Sequence, residues 1–346
     1  MRELSADISH SRAGHPILSG ITFIFIECHN SIIVVMISFI VQEYKEDREF
    51  IEKMLQQISQ VPHEKELVFV VGEPGVDMMW VRELANFPVK VIGSIESCGQ
   101  ARNVGARNAA HYSEALIFLD CHTCFTPETI DRWMNTLWSH PEAAVGPAIQ
   151  VVQFPSCEPS GGFGHGVAFK FVKHPFEWVW LPSPKDETIF PVPTTCGCAF
   201  AMTPATFRDL DSYGGFLWTH RGLGWEEEYG IRLWRLGHPC LIDKDAVVGH
   251  YFKQGWPAES TRGYVDSRME GIYLNVFNSD VWDHVIGLIE KEWPWEWKSK
   301  LRNAEKRYYG LRKKLEPLKD KIDETEFFII KEGEYKFVNT PKVHGL

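Results

Sequence analysis

The stretch Ala115-Leu-Ile-Phe-Leu-Asp120-Cys-His122-Thr-Cys124 carries five apolar residues and ends abruptly in an acid, a cysteine and a histidine. A short apolar run closed by polar residues reads as a strand buried in a sheet. In an extended chain residues two apart share a side, so Asp120 and His122 face one way and Cys121 the other. A carboxylate and an imidazole placed like this form a two-point grip on a divalent cation, Mn²⁺ or Mg²⁺, with coordination positions left for phosphate oxygens. Taken singly, an aspartate capping the next helix beside an incidental histidine explains the pattern equally well.

Outward from this strand the pattern alternates. Ile37–Val41 is β-branched and apolar, and the Gln-Glu-Tyr-Lys-Glu-Asp that follows opens a helix to about Gln60. Strands follow at Glu66–Val71, Val89–Ser94 and Ala115–Leu119, with helices at Met78–Asn86, Gln100–His111 and Pro127–Ser139 between and after them. This alternation predicts an α/β fold whose central sheet is mostly parallel and covered by helices on both faces. In such sheets ligands bind beyond the carboxyl ends of the strands. Pro155–Pro193, rich in Gly, Pro and aromatics such as Phe163, Phe169, Phe171, Trp178 and Trp180, reads as an irregular wall beside that site. Regular structure resumes with a strand at Cys196–Met202, helices at Pro204–Leu210 and Glu226–Arg235, and a strand at Cys240–Ile242. The reading divides the chain into an extension (1–35), the α/β domain (36–255) and a C-terminal helical extension (256–346).

Three further segments carry chemistry. Asp245-Ala-Val-Val-Gly-His250-Tyr-Phe-Lys253 offers a second imidazole, a third ligand for the Asp120 and His122 pair if the fold brings it there. Gly222-Leu-Gly-Trp225-Glu226-Glu227-Glu228 sets three acids at a helix start, where the helix dipole stabilises them. One of these carboxylates projecting into a cleft would serve as a general base. Ser97-Cys-Gly99-Gln-Ala-Arg102-Asn103 opens a helix with small residues and a guanidinium, a setting that binds phosphate.

The 346 residues contain 36 basic and 46 acidic side chains, a net charge of -10, which argues against a general nucleic-acid binder. Eight scattered cysteines and the lack of a cleavable leader pattern suggest reduced thiols in a cytoplasmic setting. The apolar run Ile17–Val41 is interrupted by Glu27, His29 and Asn30, which disfavours a membrane span. Residues 298–321 hold ten basic against three acidic residues, net +7. That block is either a solvated amphipathic helix or a peripheral contact with anionic lipid or ligand.

In this order the segments resemble the GT-A fold of nucleotide-sugar glycosyltransferases. Ile37–Asp47 is similar to the opening strand and Pro-Thr-Tyr-Asn-Glu turn of glycosyltransferase family 2, with Gln42, Glu43 and Lys45 departing from it. Ala101-Arg102-Asn103-Val-Gly105 is similar to that fold's Ala-Arg-Asn-x-Gly segment. Phe118-Leu-Asp120-Cys-His122 matches the Asp-x-His metal motif of polypeptide N-acetylgalactosaminyltransferases. Gly197-Cys-Ala-Phe200-Ala and Val248-Gly-His250-Tyr-Phe252 resemble two more of that family's segments, whereas Leu-Gly-Trp-Glu-Glu replaces its Trp-Gly-Gly-Glu-Asn loop.

The resemblance implies metal-dependent transfer of a sugar from a nucleotide-sugar donor, a UDP-sugar by preference, to an acceptor hydroxyl of a glycan, protein, lipid or small molecule. It implies Asp120, His122 and His250 as metal ligands, and Glu43, Tyr44, Glu73, Arg102 and Asp120 as donor-binding residues. Glu226, with Glu227 next, takes the place of the base of inverting relatives, which slightly favours inversion over retention. Rival readings are a nucleotidyltransferase, disfavoured because Gln42-Glu43-Tyr44 is no glycine-rich basic loop, and a catalytically silent sugar-binding protein. A zinc site on Cys121, Cys124, Cys196 and Cys198 is disfavoured by the spacing.

Overall fold

A computed structural model describes residues 35–331 apart from 74, 94, 96, 175, 176, 218–227 and 254–257. The chain first alternates through β1 (Met36–Glu43), α1 (Arg48–Gln60), β2 (Glu64–Val71), α2 (Trp80–Leu84), β3 (Val89–Ile92), α3 (Cys98–Arg107) and β4 (Ala115–Asp120). Next come β5 (Thr123–Cys124), α4 (Pro127–Ser139), β6 (Ala144–Val152), β7 (Pro159–Gly164), β8 (Val167–Lys170), β9 (Glu177–Trp180), β10 (Ile189–Val192) and β11 (Ala199–Met202). The remainder is α5 (Pro204–Ser212), α6 (Tyr229–Leu236), β12 (Cys240–His250), α7 (Ala258–Asn275), α8 (Ser279–Glu292), α9 (Trp297–Leu315), α10 (Glu324–Phe327) and β13 (Phe328–Ile329).

Among the described residues ten strands form one sheet in the order β10-β12-β6-β11-β4-β1-β2-β3, with β5 paired to β12 and β7 to β6. The half β4-β1-β2-β3 is parallel throughout, and β11 enters antiparallel between β4 and β6. The continuous apolar run of β4 follows from burial on both faces. Ala115, Ile117 and Leu119 join a cluster with Ile51, Met54 and Trp133. Leu116 and Phe118 point to the opposite cluster, which includes Ala101, Phe200 and Phe216. Phe118 is fully buried and stacks on Phe200 at 4.7 Å between ring centroids. Truncating such a ring to alanine costs about 3–5 kcal/mol.

Helix starts are set by side chains that satisfy orphan backbone donors. Thr126 caps α4 by accepting from Thr129 N, and Pro127 occupies the first turn. Ser97 caps α3 in the same way from Gln100 N.

Two readings need correction. The 155–193 region contains four strands, and β8 and β9 form a second sheet with β13 in the order β13-β8-β9. Strands of four residues show no usable alternation, and the partner Phe328-Ile329 lies far along the chain. Phe169 and Phe171 are fully buried there against Phe328, so they are core and not a ligand wall, while Phe163 stays 54% exposed. The cysteines are not all reduced, because Cys124 and Cys157 form a disulfide with Cα atoms 5.9 Å apart.

Met36–Val41, the end of the apolar 17–41 run, lies within β1, and residues 17–34 fall outside those described. Among the described residues no helix is long and apolar enough to cross a membrane.

Candidate metal and donor site

β4 delivers Asp120 at its last position, and a turn leads directly into β5. Thr123 and Cys124 then pair antiparallel with His250 and Gly249 at the end of β12. Those two residues of pairing bring His250 beside His122, although β4 and β12 are not neighbours in the sheet. Gly249 is required there: a Cβ on it would stand 2.7 Å from a Val152 methyl and 3.1 Å from Cys124 Cβ.

Asp120, His122 and His250 offer one ligand atom each, all within 4.8 Å of one another. Asp120 Oδ2 lies 3.4 Å from His250 Nε2 and 3.9 Å from His122 Nε2. Among the described residues neither nitrogen of the buried His250 ring meets hydrogen-bond geometry, Nε2 lying 3.4 Å from Asp120 Oδ2 as an ion-pair contact. A buried ring costs free energy in that condition unless something else occupies a nitrogen. One carboxylate oxygen and two imidazole nitrogens are a donor set suited to Mn²⁺, so these residues fit a divalent ion.

The electrostatics favour ligand-ready forms. Burial pushes the Asp120 carboxyl up, but His250, His122 and Arg102 outweigh it and bring it down to about 2. Burial holds the His250 imidazole below its ordinary value, which keeps it neutral.

The other sequence candidates divide. Arg102 is buried, donates from Nη2 to Gly197 O at 2.6 Å and flanks Asp120 Oδ1 at 3.9 Å, with Phe200 and Phe216 beside its guanidinium. Its charge therefore acts on the site through Asp120. Glu43 is buried, with Oε1 accepting from Glu46 N and Oε2 without a partner among the described residues, and burial pushes its carboxyl up. Tyr44 and Glu73 are half-buried at the ends of β1 and β2. Gly72 N donates to Glu43 O at 2.7 Å, and a Cβ on Gly72 would meet that oxygen at 2.6 Å. The close approach of the two strand ends explains a glycine at this position. Glu226 and Glu227 lie outside the described residues. Glu228 is buried in an ion pair with Arg232 and accepts from Asn275 Nδ2 at 3.0 Å, so this acid is structural.

Sequence reasoning missed Glu46 and Lys253. Glu46 Oε2 stands 3.2 Å from His122 Nδ1, and Lys253 Nζ lies 2.8 Å from Glu46 Oε1. Burial raises the Glu46 carboxyl, yet His122 and Lys253 pull it below the ordinary value. Its position just past the end of β1 was the available signal. Phe50, Phe154 and Tyr251 pack together beside His122.

No family model matches the chain. Over 216 residues, 56% of its length, it is 27% identical to polypeptide N-acetylgalactosaminyltransferase 12 of Mus musculus, covering 35% of that protein. Over 108 residues it is 31% identical to an uncharacterized glycosyltransferase of Haemophilus influenzae, covering 31% of this chain and 36% of that one. The chain thus spans about a third of the length of the curated relatives it matches. Among solved structures it superposes on GalNAc-T7 crystallised with UDP, GalNAc and Mn²⁺, with a TM-score of 0.57 and 17% identity. That match covers 77% of this chain and 58% of the other. The chain has the GT-A glycosyltransferase fold, and in sequence it is similar to the polypeptide N-acetylgalactosaminyltransferases.

Proposed function

We propose that the protein transfers a sugar from a nucleoside diphosphate donor, a UDP-sugar, to an acceptor hydroxyl. The observation that carries this is the meeting of Asp120, His122 and His250 at the carboxyl end of β4, the place where α/β sheets bind ligands. These three residues would hold Mn²⁺ or Mg²⁺, which supplies charge neutralisation at a departing diphosphate. His250 and His122, with a smaller contribution from Arg102, keep Asp120 ionised for that task. In this reading Glu43, whose Oε2 has no partner among the described residues, and the half-buried Tyr44 and Glu73 would contact the nucleoside. Glu226, or Glu227 after it, takes the acceptor proton in this reading, and inversion at the anomeric carbon goes with such a base.

The test is incubation with a panel of UDP-sugars and Mn²⁺, with and without simple acceptors, following released UDP. Metal-dependent UDP release supports the proposal. Pyrophosphate release would replace it with nucleotidyl transfer, and donor binding without turnover would leave a silent sugar-nucleotide binder.

A second contact is favoured by α9. Lys298, Arg302, Lys306, Tyr309 and Lys313 follow one another at spacings of three and four, and all are exposed. Trp295 just before the helix is 93% exposed. Lys298, Arg302, Lys306 and Lys313 carry no ion pair among the described residues, unlike Lys300 and Arg307, which pair with Asp266 and Glu270 of α7. We propose that this stripe rests on an anionic membrane surface, with Trp295 at the headgroup level.

A further inference from the structure

We propose that Glu46 is the positioning residue of the metal site, fixing the tautomer and orientation of His122 and tying together three strand ends. This rests on the metal reading above.

Glu46 follows β1 by a sharp turn. Lys45 adopts φ 54, in the left-handed region that few non-glycine residues occupy, and Glu46 N donates back to Glu43 Oε1 at 3.1 Å. Such backbone conformations persist where the surroundings over-determine them, and they gather at functional sites. The turn buries the Glu46 side chain to 7% exposure, an uncommon state for an exposed-loop glutamate.

There its two oxygens are used separately. Oε2 faces His122 Nδ1 at 3.2 Å, and Oε1 takes Lys253 Nζ at 2.8 Å. An ionised carboxylate only accepts, so His122 carries its proton on Nδ1 and presents a bare Nε2 lone pair on the side of Asp120. A carboxylate behind a ligating imidazole sets ring orientation and raises ligand basicity. Lys253 comes from the segment just past β12, three residues after His250, so the same carboxylate also anchors the strand that brings the third ligand. Glu46 thus contacts no ligand atom that the metal would use and acts through residues on either side of it.

The experiment compares wild type, Glu46→Ala, Glu46→Gln and Lys253→Met, with Asp120→Asn as the site control. Mn²⁺ affinity is measured by calorimetry on the full chain without donor, melting is followed in EDTA, and Co²⁺ absorption is recorded as a spectroscopic report on the ligands. Glu46→Ala is expected to lose about 10–100-fold in Mn²⁺ affinity and to shift the Co²⁺ bands, together with a lower EDTA melting point from the broken Lys253 pair. Glu46→Gln, which keeps an acceptor oxygen, is expected to lose less, and Lys253→Met less still. Unchanged Mn²⁺ affinity in both Glu46 variants, or a lowered EDTA melting point as the sole effect, would overturn the assignment. Wild-type protein that binds no Mn²⁺ sensitive to Asp120→Asn would overturn the metal reading together with it.

Discussion

His250 Nε2 stands 3.4 Å from Asp120 Oδ2, inside a buried site where, among the described residues, neither nitrogen of the ring meets hydrogen-bond geometry. Under the metal reading proposed above, replacing either residue removes a ligand. Asp120→Asn and His250→Ala are each expected to abolish the rise in melting temperature that Mn²⁺ gives the wild type. A ligand at 100 times its Kd stabilises the native state by about 2.7 kcal/mol. His122→Ala should do the same and should eliminate metal-stimulated UDP release. Retention of the Mn²⁺ shift in all three variants would remove the metal assignment.

The pH dependence of metal binding follows from the two shifts. Asp120, brought down to about 2, is ionised throughout the range considered, and burial favours the neutral form of His250. Mn²⁺ affinity is expected to stay flat from about pH 8 down to about pH 6.5 and to weaken below it as protons compete for imidazole. A steep loss between pH 8 and pH 7 would contradict the neutral state assigned to His250.

Glu270, on α7, gives a separate signature in stability. Burial pushes its carboxyl up to about 7 against the pull of Arg307, whose Nη1 lies 2.6 Å away, and of Tyr308. The folded chain keeps a proton that the unfolded chain releases near the ordinary 4.5. Its contribution to stability is therefore full below about pH 4.5 and is lost as pH rises towards 7. Urea midpoints of Glu270→Gln should fall less between pH 5 and pH 7 than those of the wild type. Parallel slopes would show that Arg307 keeps Glu270 ionised throughout.

Cys124–Cys157 joins β5 to the loop between β6 and β7 across 33 residues. By loop-closure entropy a cross-link of that span contributes roughly 3–4 kcal/mol. Cys157→Ser should lower the melting temperature and, because Thr123-Cys124 pairs with Gly249-His250, should also weaken Mn²⁺ binding. Thiol titration under denaturing conditions should find two fewer reactive thiols before reduction than after. Equal counts would show that the bond does not form.

The outer stripe of α9 predicts salt-sensitive binding to vesicles containing phosphatidylserine and none to neutral ones. Charge reversal at Lys298, Arg302 and Lys306 together should abolish sedimentation with the vesicles and leave Mn²⁺ binding unchanged. Equal sedimentation of this variant would dismiss the membrane contact.

The parallel half of the fold was legible because β1, β2 and β4 carry nearly continuous buried apolar runs and α1 has its own apolar stripe. Pro127–Ser139 agrees with α4 at both ends, since Thr126, Pro127 and the apolar periodicity point the same way. The strand expected to end at Ile242 instead runs to His250 as β12. Its Asp243-Lys-Asp break was misleading, because a register shift between Asp243 and Val247 absorbs the polar residues. Asp243 itself is buried against Arg132 and Thr136. Within the site, Asp120 and His122 could be read from a spacing of two, whereas Glu46 was signalled only as the last residue of the turn compared with Pro-Thr-Tyr-Asn-Glu. Its role arises from a turn and a long-range contact that no local period encodes.

The convergence of His122 and His250 through the two residues of β5 has an evolutionary corollary. The loops between the strands that follow Phe125 can lengthen, shorten or change sequence, while β6, β11 and β12 hold the sheet and that miniature ladder holds the relation of the two imidazoles. A single residue inserted into the ladder would flip its side chains to the opposite face. Descendants of this chain can therefore diversify what they act upon far more freely than the point at which they act.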